Sequence, residues 1–258
     1  MQKNYLLHLN IFKTLYVNFK LLPFKQALHM PILLYGKVNV SNCTGRVIIN
    51  RPLQFGMLRF GISRGGFYGT RASSYSRFCV EGTLILNEVD KTNGIKRSQF
   101  SHDSCLHIGQ HGTLILNEYE DFGPRCHIAC YEMIEIGSWL STSWDVQVFD
   151  TNFHFLISNE GKVHRATKPI KVGNHCWIGN RTTLNPGAKI SDYTTIASNS
   201  LVNKDFSDFQ RVILGGVPSV VLREGYRRIF SFAEEKRLFD FFAKYHNDET
   251  IIENLNIL

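Results

Sequence analysis

A six-residue beat between Ile170 and Asp205 constrains this chain more than any other feature. Val172, Ile178, Leu184, Ile190, Ile196 and Val202 are all aliphatic and stand six apart. The residue after each is small or turn-prone: Gly173, Gly179, Asn185, Ser191, Ala197 and Asn203. Four places after each aliphatic comes Cys176, Thr182, Ala188, Thr194 or Ser200, until Phe206 breaks the series. Six is not a multiple of the helical 3.6, and simple alternation would not single out every third inward position. A hexad suits a short strand, a corner and a repeat, with three sides closing one coil of a parallel β-helix. The aliphatic residue fills the prism, and small residues let the backbone turn without a Cβ clash.

Upstream the beat is looser. From Tyr35 to Leu116 short β-branched runs (KVNV, RVIIN, TLILNE) alternate with Gly, Asn and Ser. GTLILNE occurs verbatim at 82–88 and 112–118, which predicts equivalent strands stacked in successive coils. The polar stretch Lys91–Ser104 between them reads as a protruding loop. Phe122-Gly123 and Ile128-Ala129 start regular hexads, and a two-residue slip leads to Ile136-Gly137, Thr142 and Val148. The register then lapses through DTNFHFLISNEGKVHRATKP, about one coil's length, which reads as a loop thrown outward. Long loops in compact repeats tend to carry function. The resulting division is a helical segment over 1–34, a β-helix over 35–222 with its loop at about 150–169, and a helical C-terminal cap and tail over 223–258.

The helical segments have distinct signatures. Leu6, Leu9, Phe12, Leu15, Tyr16, Phe19 and Leu22 recur at three- and four-residue steps near the N-terminus, with Lys13 and Lys20 among them. Such a helix either covers the first coil or lies on a membrane surface. Ile229, Phe232, Leu238, Phe241 and Phe242 mark a second amphipathic helix, expected to cap the other end. Charge is uneven. Residues 1–80 hold eleven Lys or Arg and no Asp or Glu, while the remainder holds all twenty-two acids. A basic end suits an anionic ligand or membrane face as well as a solvated surface. The first residues have Asn10 and Lys13 inside their apolar run and no A-x-A-like site, so no signal peptide is read. No apolar run approaches the roughly 18 residues of a span. Six cysteines without framework spacing fit reduced thiols in the cytoplasm.

At this point the chain resembles the hexapeptide-repeat acyltransferases, the left-handed parallel β-helix family of maltose, galactoside and surface-polysaccharide O-acetyltransferases. The matching blocks run in order: IEIGSWLS followed by VQVFDTNFH, IKVGNHCWIGNRTTLNPGAKI, IASNSLVNKD and VILGGVPSVVL. The resemblance is strong from about Ile134 to Leu222 and weaker before it. It implies a left-handed coil, a homotrimer, acetyl-CoA as donor, and a hydroxyl or amino acceptor, expected on a sugar or glycan. No metal and no nucleic acid are implied. The expected place is the cytoplasm, with contact at the inner face of a membrane as one reading of the basic N-terminal third.

Acyl transfer to a hydroxyl needs a base, a thioester held within reach and support for the oxyanion. The resemblance assigns the base to His154 in the outward loop, whose unperturbed pKa near ~6.5 suits proton abstraction. Asp150 either orients that imidazole or caps the turn as an Asx residue. His164 and Arg165 are alternative loop players. The resemblance runs the donor's pantetheine arm along the hexad wall, with Gly179 admitting it and Ser198 lining it. Asn203 and Lys204 match a Thr/Ser-Lys pair near the end of the coils, and Lys204 suits a CoA phosphate. The maltose-acetyltransferase branch carries a base inside its GGxPA segment, whereas this chain has Pro218-Ser219-Val220 there. The phosphate contact is therefore expected to shift to Arg223 or Arg227. Asp145 replaces an asparagine of that branch. Trp139, Trp144 and Trp177 suit either sugar binding or interface packing. Two competing functions are a non-catalytic scaffold and a zinc carbonic anhydrase with three histidines, for which ten histidines are present but no ligand-like spacing.

Overall fold

The computed structural model describes residues 8–62, 75–88, 97–245 and 248–251. Three parallel sheets form the walls of a prism, and each coil gives one strand to each wall. One coil shows the plan: Asp121–Phe122 on face 1, His127–Cys130 on face 2, Met133–Ile136 on face 3. The next coil repeats it with Ser141–Thr142, Gln147–Phe149 and Ile170–Val172. The hexad residues point inward as expected: Val172, Ile178, Leu184, Ile190, Ile196 and Val202 are all buried, and Phe206 fills the same position in the last coil. The small residues four places on, Cys176, Thr182, Ala188, Thr194 and Ser200, are buried at the inner corners.

The upstream half obeys the same plan with larger contents. On face 1, Phe60, Phe100 and Phe122 stack in adjacent coils, and Phe78 meets Phe60 from face 2. The two GTLILNE copies pair in register, Leu84 on Leu114 and Leu86 on Leu116. Face 3 there takes two inward residues per strand, Ile134 and Ile136 in the fourth coil. That accounts for the two-residue slip. The expected loop at Lys91–Ser104 is in part wall instead: Ser98–Ser101 is a face 1 strand with Phe100 turned inward, and residues 91–96 lie outside the described set.

Two corners repeat a backbone conformation that L-residues rarely adopt. From the fourth coil on, three places before each inward residue of face 1 stand Tyr119, Trp139, His175, Tyr193 and Arg211, all with φ between 53° and 61°. Three before those of face 2 stand Asp103, Arg125, Asp145, Arg181 and Asn199, again left-handed. Each such residue costs about 1 kcal/mol. Stacking offsets it: Tyr119 on Trp139 at 4.3 Å, and His175 on Tyr193 at 4.8 Å with rings 2° apart. At the other corner Arg125 clasps Asp145 through two bonds of 2.6 and 2.9 Å.

The first coil is covered by helix α1 (Ile11–Leu21), followed by the short α2 (Phe24–Ala27). Its buried face is Thr14, Val17, Asn18 and Leu21. The reason is the exposed edge of the strand Ile32–Leu34, whose unpaired backbone groups need partners. Asn18 accepts from the Ile32 amide and donates to the Ile32 carbonyl, and Thr14 Oγ1 accepts from the Leu34 amide. At the far end, Ser219–Glu224 turns back antiparallel on Val212–Gly216 and closes face 1. A buried helical cap was expected there. Instead the chain runs back outside face 1, with Arg228 5.4 Å from the Trp177 ring and Phe230 5.6 Å from His175. Helix α3 (Phe232–Lys244) follows and buries no residue. Its apolar side chains, among them Phe232 and Phe239, are left exposed.

Candidate active site

The loop thrown outward after Phe149 is an arm with internal order. Thr151 bridges Thr167 and Ile157 bridges Val163, both antiparallel. The arm's tip turns at Ser158, whose amide donates to the Lys162 carbonyl. Its base is clamped by Asp150. That residue stands on the ladder of inward positions after Cys130 and is fully buried. Its carboxylate accepts from the amides of Tyr131 at 2.7 Å and Glu132 at 2.8 Å, and its carbonyl accepts from the Lys168 amide. Burial is the largest influence on this carboxyl and raises its pKa, against the lowering effect of the amides. Of the two readings open for Asp150, the geometry is that of the cap: it ties the arm to the coil below and makes no hydrogen bond to His154 among the described residues.

His154 is exposed one turn along the arm. Its amide donates to the Asn152 carbonyl at 2.7 Å. Phe153 precedes it at φ 60°, with its amide bonded to Thr151 Oγ1. The Phe153 ring meets Tyr131 and Phe149 edge-on at 5.6 and 5.9 Å. A bulky residue in the left-handed region is a strained position that neighbouring contacts must hold. Here those contacts fix where the backbone of His154 leaves the wall.

Between the arm and the regular coils lies a cleft of about 460 Å³ lined by Asn152, His164, Arg165, Lys168, Asn185 and Asn203. Arg165 also pairs with Glu132 at 2.9 Å. Lys204 is exposed beside the cleft's Asn203, with its ammonium 5.2 Å from the Phe206 ring. Ser198 lies at the other edge of face 2, donating to Asn180 Oδ1 at 2.5 Å. Gly179 is buried, and a Cβ there would come within 2.6 Å of the Ser198 amide. The next coil therefore requires a glycine at this position. Arg223 pairs across from Ile213 at the far side of face 1, and the chain does not bring it to the cleft. Asp145, left open by the sequence, is occupied by Arg125, which lowers its pKa.

The thiols offer no nucleophile. All six cysteines are free, and burial pushes Cys126 and Cys176 up to about 12 and Cys79 up to about 11. Among the described residues, the one group of three metal-capable side chains with donor atoms within 4.8 Å of one another is Cys79, Glu81 and His107. That is not a three-histidine set.

Residues 169–204 match the family model described as bacterial transferase hexapeptide (six repeats). The chain carries a transferase hexapeptide repeat. Its coil is accordingly the left-handed parallel β-helix of that repeat. The chain is similar to the galactoside O-acetyltransferase of Escherichia coli K12, 26% identical over 150 residues that cover 54% of this chain and 70% of that enzyme. It is also similar to the chloramphenicol acetyltransferase of Morganella morganii, 38% identical over 55 residues covering 21% of this chain and 25% of that enzyme. Among solved structures, AntD, an N-acyltransferase from Bacillus cereus in complex with dTDP and 3-hydroxybutyryl-CoA, aligns with a TM-score of 0.41 at 16% identity. That alignment covers 83% of this chain and 87% of AntD.

The hexapeptide repeat holds one site feature that sequence reasoning passed over. The left-handed position falls three places after each inward residue, at His175, Arg181, Gly187, Tyr193 and Asn199. The signal was present as a fourth rule of the hexad, but residues so unlike in chemistry hide a shared backbone angle.

Proposed function

We propose that this chain is an acyltransferase that moves an acetyl group from acetyl-CoA to a hydroxyl of a sugar in a surface glycan or its precursor. The observation that carries the reading is the arm: its base is tied to the coil below by the buried Asp150 carboxylate, and it carries the exposed His154 out of the wall, after the strained Phe153, where the regular coils begin. The likeness to two acetyltransferases supports acetyl as the transferred group, and the galactoside enzyme supports a sugar hydroxyl as acceptor. His154 takes the hydroxyl proton as the oxygen attacks the thioester carbonyl. The C–S bond then breaks, and the proton passes from the imidazolium to the departing thiolate. Asp150 acts through the arm's position. Asn203 and Lys204 hold the donor at one edge of face 2, with Lys204 toward phosphate.

Ser198 and Arg223 stand on other edges, so they reach the same ligand from a second copy of the chain. The arm supports that assembly. Phe155, Leu156 and Ile157 are each 70–74% exposed near its tip, a surface that a neighbouring prism would cover. The proposed state is a homotrimer, working in the cytoplasm. The test is acetyl transfer from acetyl-CoA to glycan acceptors, followed as free CoA thiol. His154→Ala is expected to lower kcat by about 10²–10⁴-fold with CoA affinity and melting temperature unchanged. Full activity in that variant, with loss in His164→Ala, would move the base to the cleft.

A further inference from the structure

The N-terminal helix presents its wrong side to the prism. Its strongest apolar stripe (Phe12, Leu15, Tyr16, Phe19) would be the side to bury if packing alone decided. The helix instead turns Thr14 and Asn18 inward, because the strand edge at Ile32 and Leu34 demands hydrogen bonds. The apolar stripe is left outside. Phe12 is 86% exposed, Ile11 60% and Tyr16 53%. The next short helix continues the surface with Phe24 at 67% and Leu28 at 56%, and the rings of Phe19 and Phe24 lie 5.7 Å apart. A contiguous exposed apolar surface of this kind marks an interaction site.

The surrounding charge is of one sign. Lys20, Lys25 and Lys37 are exposed at this end of the prism. Residues 1–80 contribute eleven basic side chains and no acidic one. Apolar rings flanked by lysines, on a segment that itself carries no carboxylate, match a bilayer carrying anionic headgroups. The rings enter the boundary between headgroups and acyl chains while the lysine stems reach back to the phosphates. A helix lying in the plane suffices. No helix among the described residues is long and apolar enough to cross a membrane.

We infer that α1 and α2 form an interfacial docking surface for anionic lipid, which seats the prism end-on against a membrane. This does not rest on acyl transfer, and its test uses no acceptor or donor. The full chain is sedimented with vesicles of phosphatidylcholine alone, or with about one-third phosphatidylglycerol. Binding is expected to the anionic vesicles, weakened at least about tenfold by high salt. Phe12→Ser/Phe24→Ser is expected to abolish it, and Lys20→Glu/Lys25→Glu to weaken it about tenfold. All four side chains are exposed, so the variants should keep the wild-type circular dichroism and melting temperature. Absence of binding to anionic vesicles at low salt overturns the inference, as does full binding by the phenylalanine variant. Concentration-dependent association of the wild type in solution, abolished by Phe12→Ser/Phe24→Ser without any vesicle binding, would overturn it in favour of a second copy.

Discussion

The two halves of the prism fill the same cross-section by different means. Through the fourth coil, face 1 and face 2 contribute Phe60, Phe78, Phe100 and Phe122, all fully buried. From the fifth coil on, the same face 1 positions hold Thr142, Ile178, Ile196 and Leu214. Strand length also differs between the halves. The strands Arg46–Asn50, Leu58–Ile62 and Ser76–Val80 have five residues each, whereas Trp177–Ile178, Thr183–Leu184 and Lys189–Ile190 have two. Rings alone do not set the length, since Asp121–Phe122 has two residues and the ring-free Arg46–Asn50 has five. The regular half keeps one inward residue per short strand, whereas the longer strands of the upstream half, such as Thr83–Asn87, bury two.

The largest effect should come from cutting the aromatic column. Phe100 lies between Phe60 at 5.2 Å and Phe122 at 4.1 Å, and Phe100→Ala is expected to cost about 3–5 kcal/mol. Ile178→Val, at the equivalent place in the regular half, should cost only about 1 kcal/mol. Denaturant melts of both variants measure the difference. Similar losses would mean that the rings relax into the gap and that the two halves are packed alike.

A second contrast concerns the gap between coils. A Cβ on Gly173 would lie 2.6 Å from the Asp192 amide and 2.7 Å from the Ser191 carbonyl carbon, which belong to the backbone of the next coil. Gly173→Ala should cost about 2–3 kcal/mol, since the regular wall has no slack to give. Gly161, at the arm's turn, has nothing within 4 Å of such an atom. Gly161→Ala there should cost about 1 kcal/mol, from its φ of +81° alone. Equal tolerance at both positions would show that the coils can spread.

These contrasts explain what was legible. Val172 through Val202 announced the coil because short strands leave one inward residue per side, so inward spacing becomes sequence spacing. Where Ile134 and Ile136 share a strand, or Phe100 follows a long connection, that equivalence fails and Ser98–Ser101 reads as a loop. The N-terminal helix was legible as helix and illegible in orientation: a stripe count ranks Phe12 above Asn18, but an unpaired strand edge outweighs it. His154 was reached by resemblance, while the carboxylate of Asp150 could be assigned to Tyr131 and Glu132 only once their amides were in place. For Gly179 the constraint set by the adjacent coil likewise became visible only once the Ser198 amide was in place.

The smallest effects separate the halves by pH. Glu120 sits at the face 3 to face 1 corner of the aromatic half, fully buried, accepting from Ser98 Oγ at 2.5 Å. Burial, opposed by the Ser98 bond and by Arg51, raises its carboxyl to about 7. Between about pH 4.3, where an unfolded Glu ionises, and 7, the unfolded chain has released a proton that the fold retains. Stability falls as pH rises through that window. Glu120→Gln should remove the slope and gain about 1–2 kcal/mol at neutral pH. His175 in the regular half behaves oppositely. Burial between Trp139, Tyr193 and Phe230 lowers its pKa, with Asp192 acting against this and Arg227 with it. Below about 6.5 the unfolded chain binds a proton that the fold refuses, so stability falls as pH drops. The ring is half-exposed, so solvent screening keeps this below about 1 kcal/mol. His175→Phe should preserve the stack and flatten the acid side, leaving the Glu120 slope in place. Melts from pH 4 to 8 read both, at roughly one-unit steps. If Glu120→Gln flattened the acid side as well, the carboxyl and the ring ladder would be coupled along the wall, and the division between the halves would be one of shape alone.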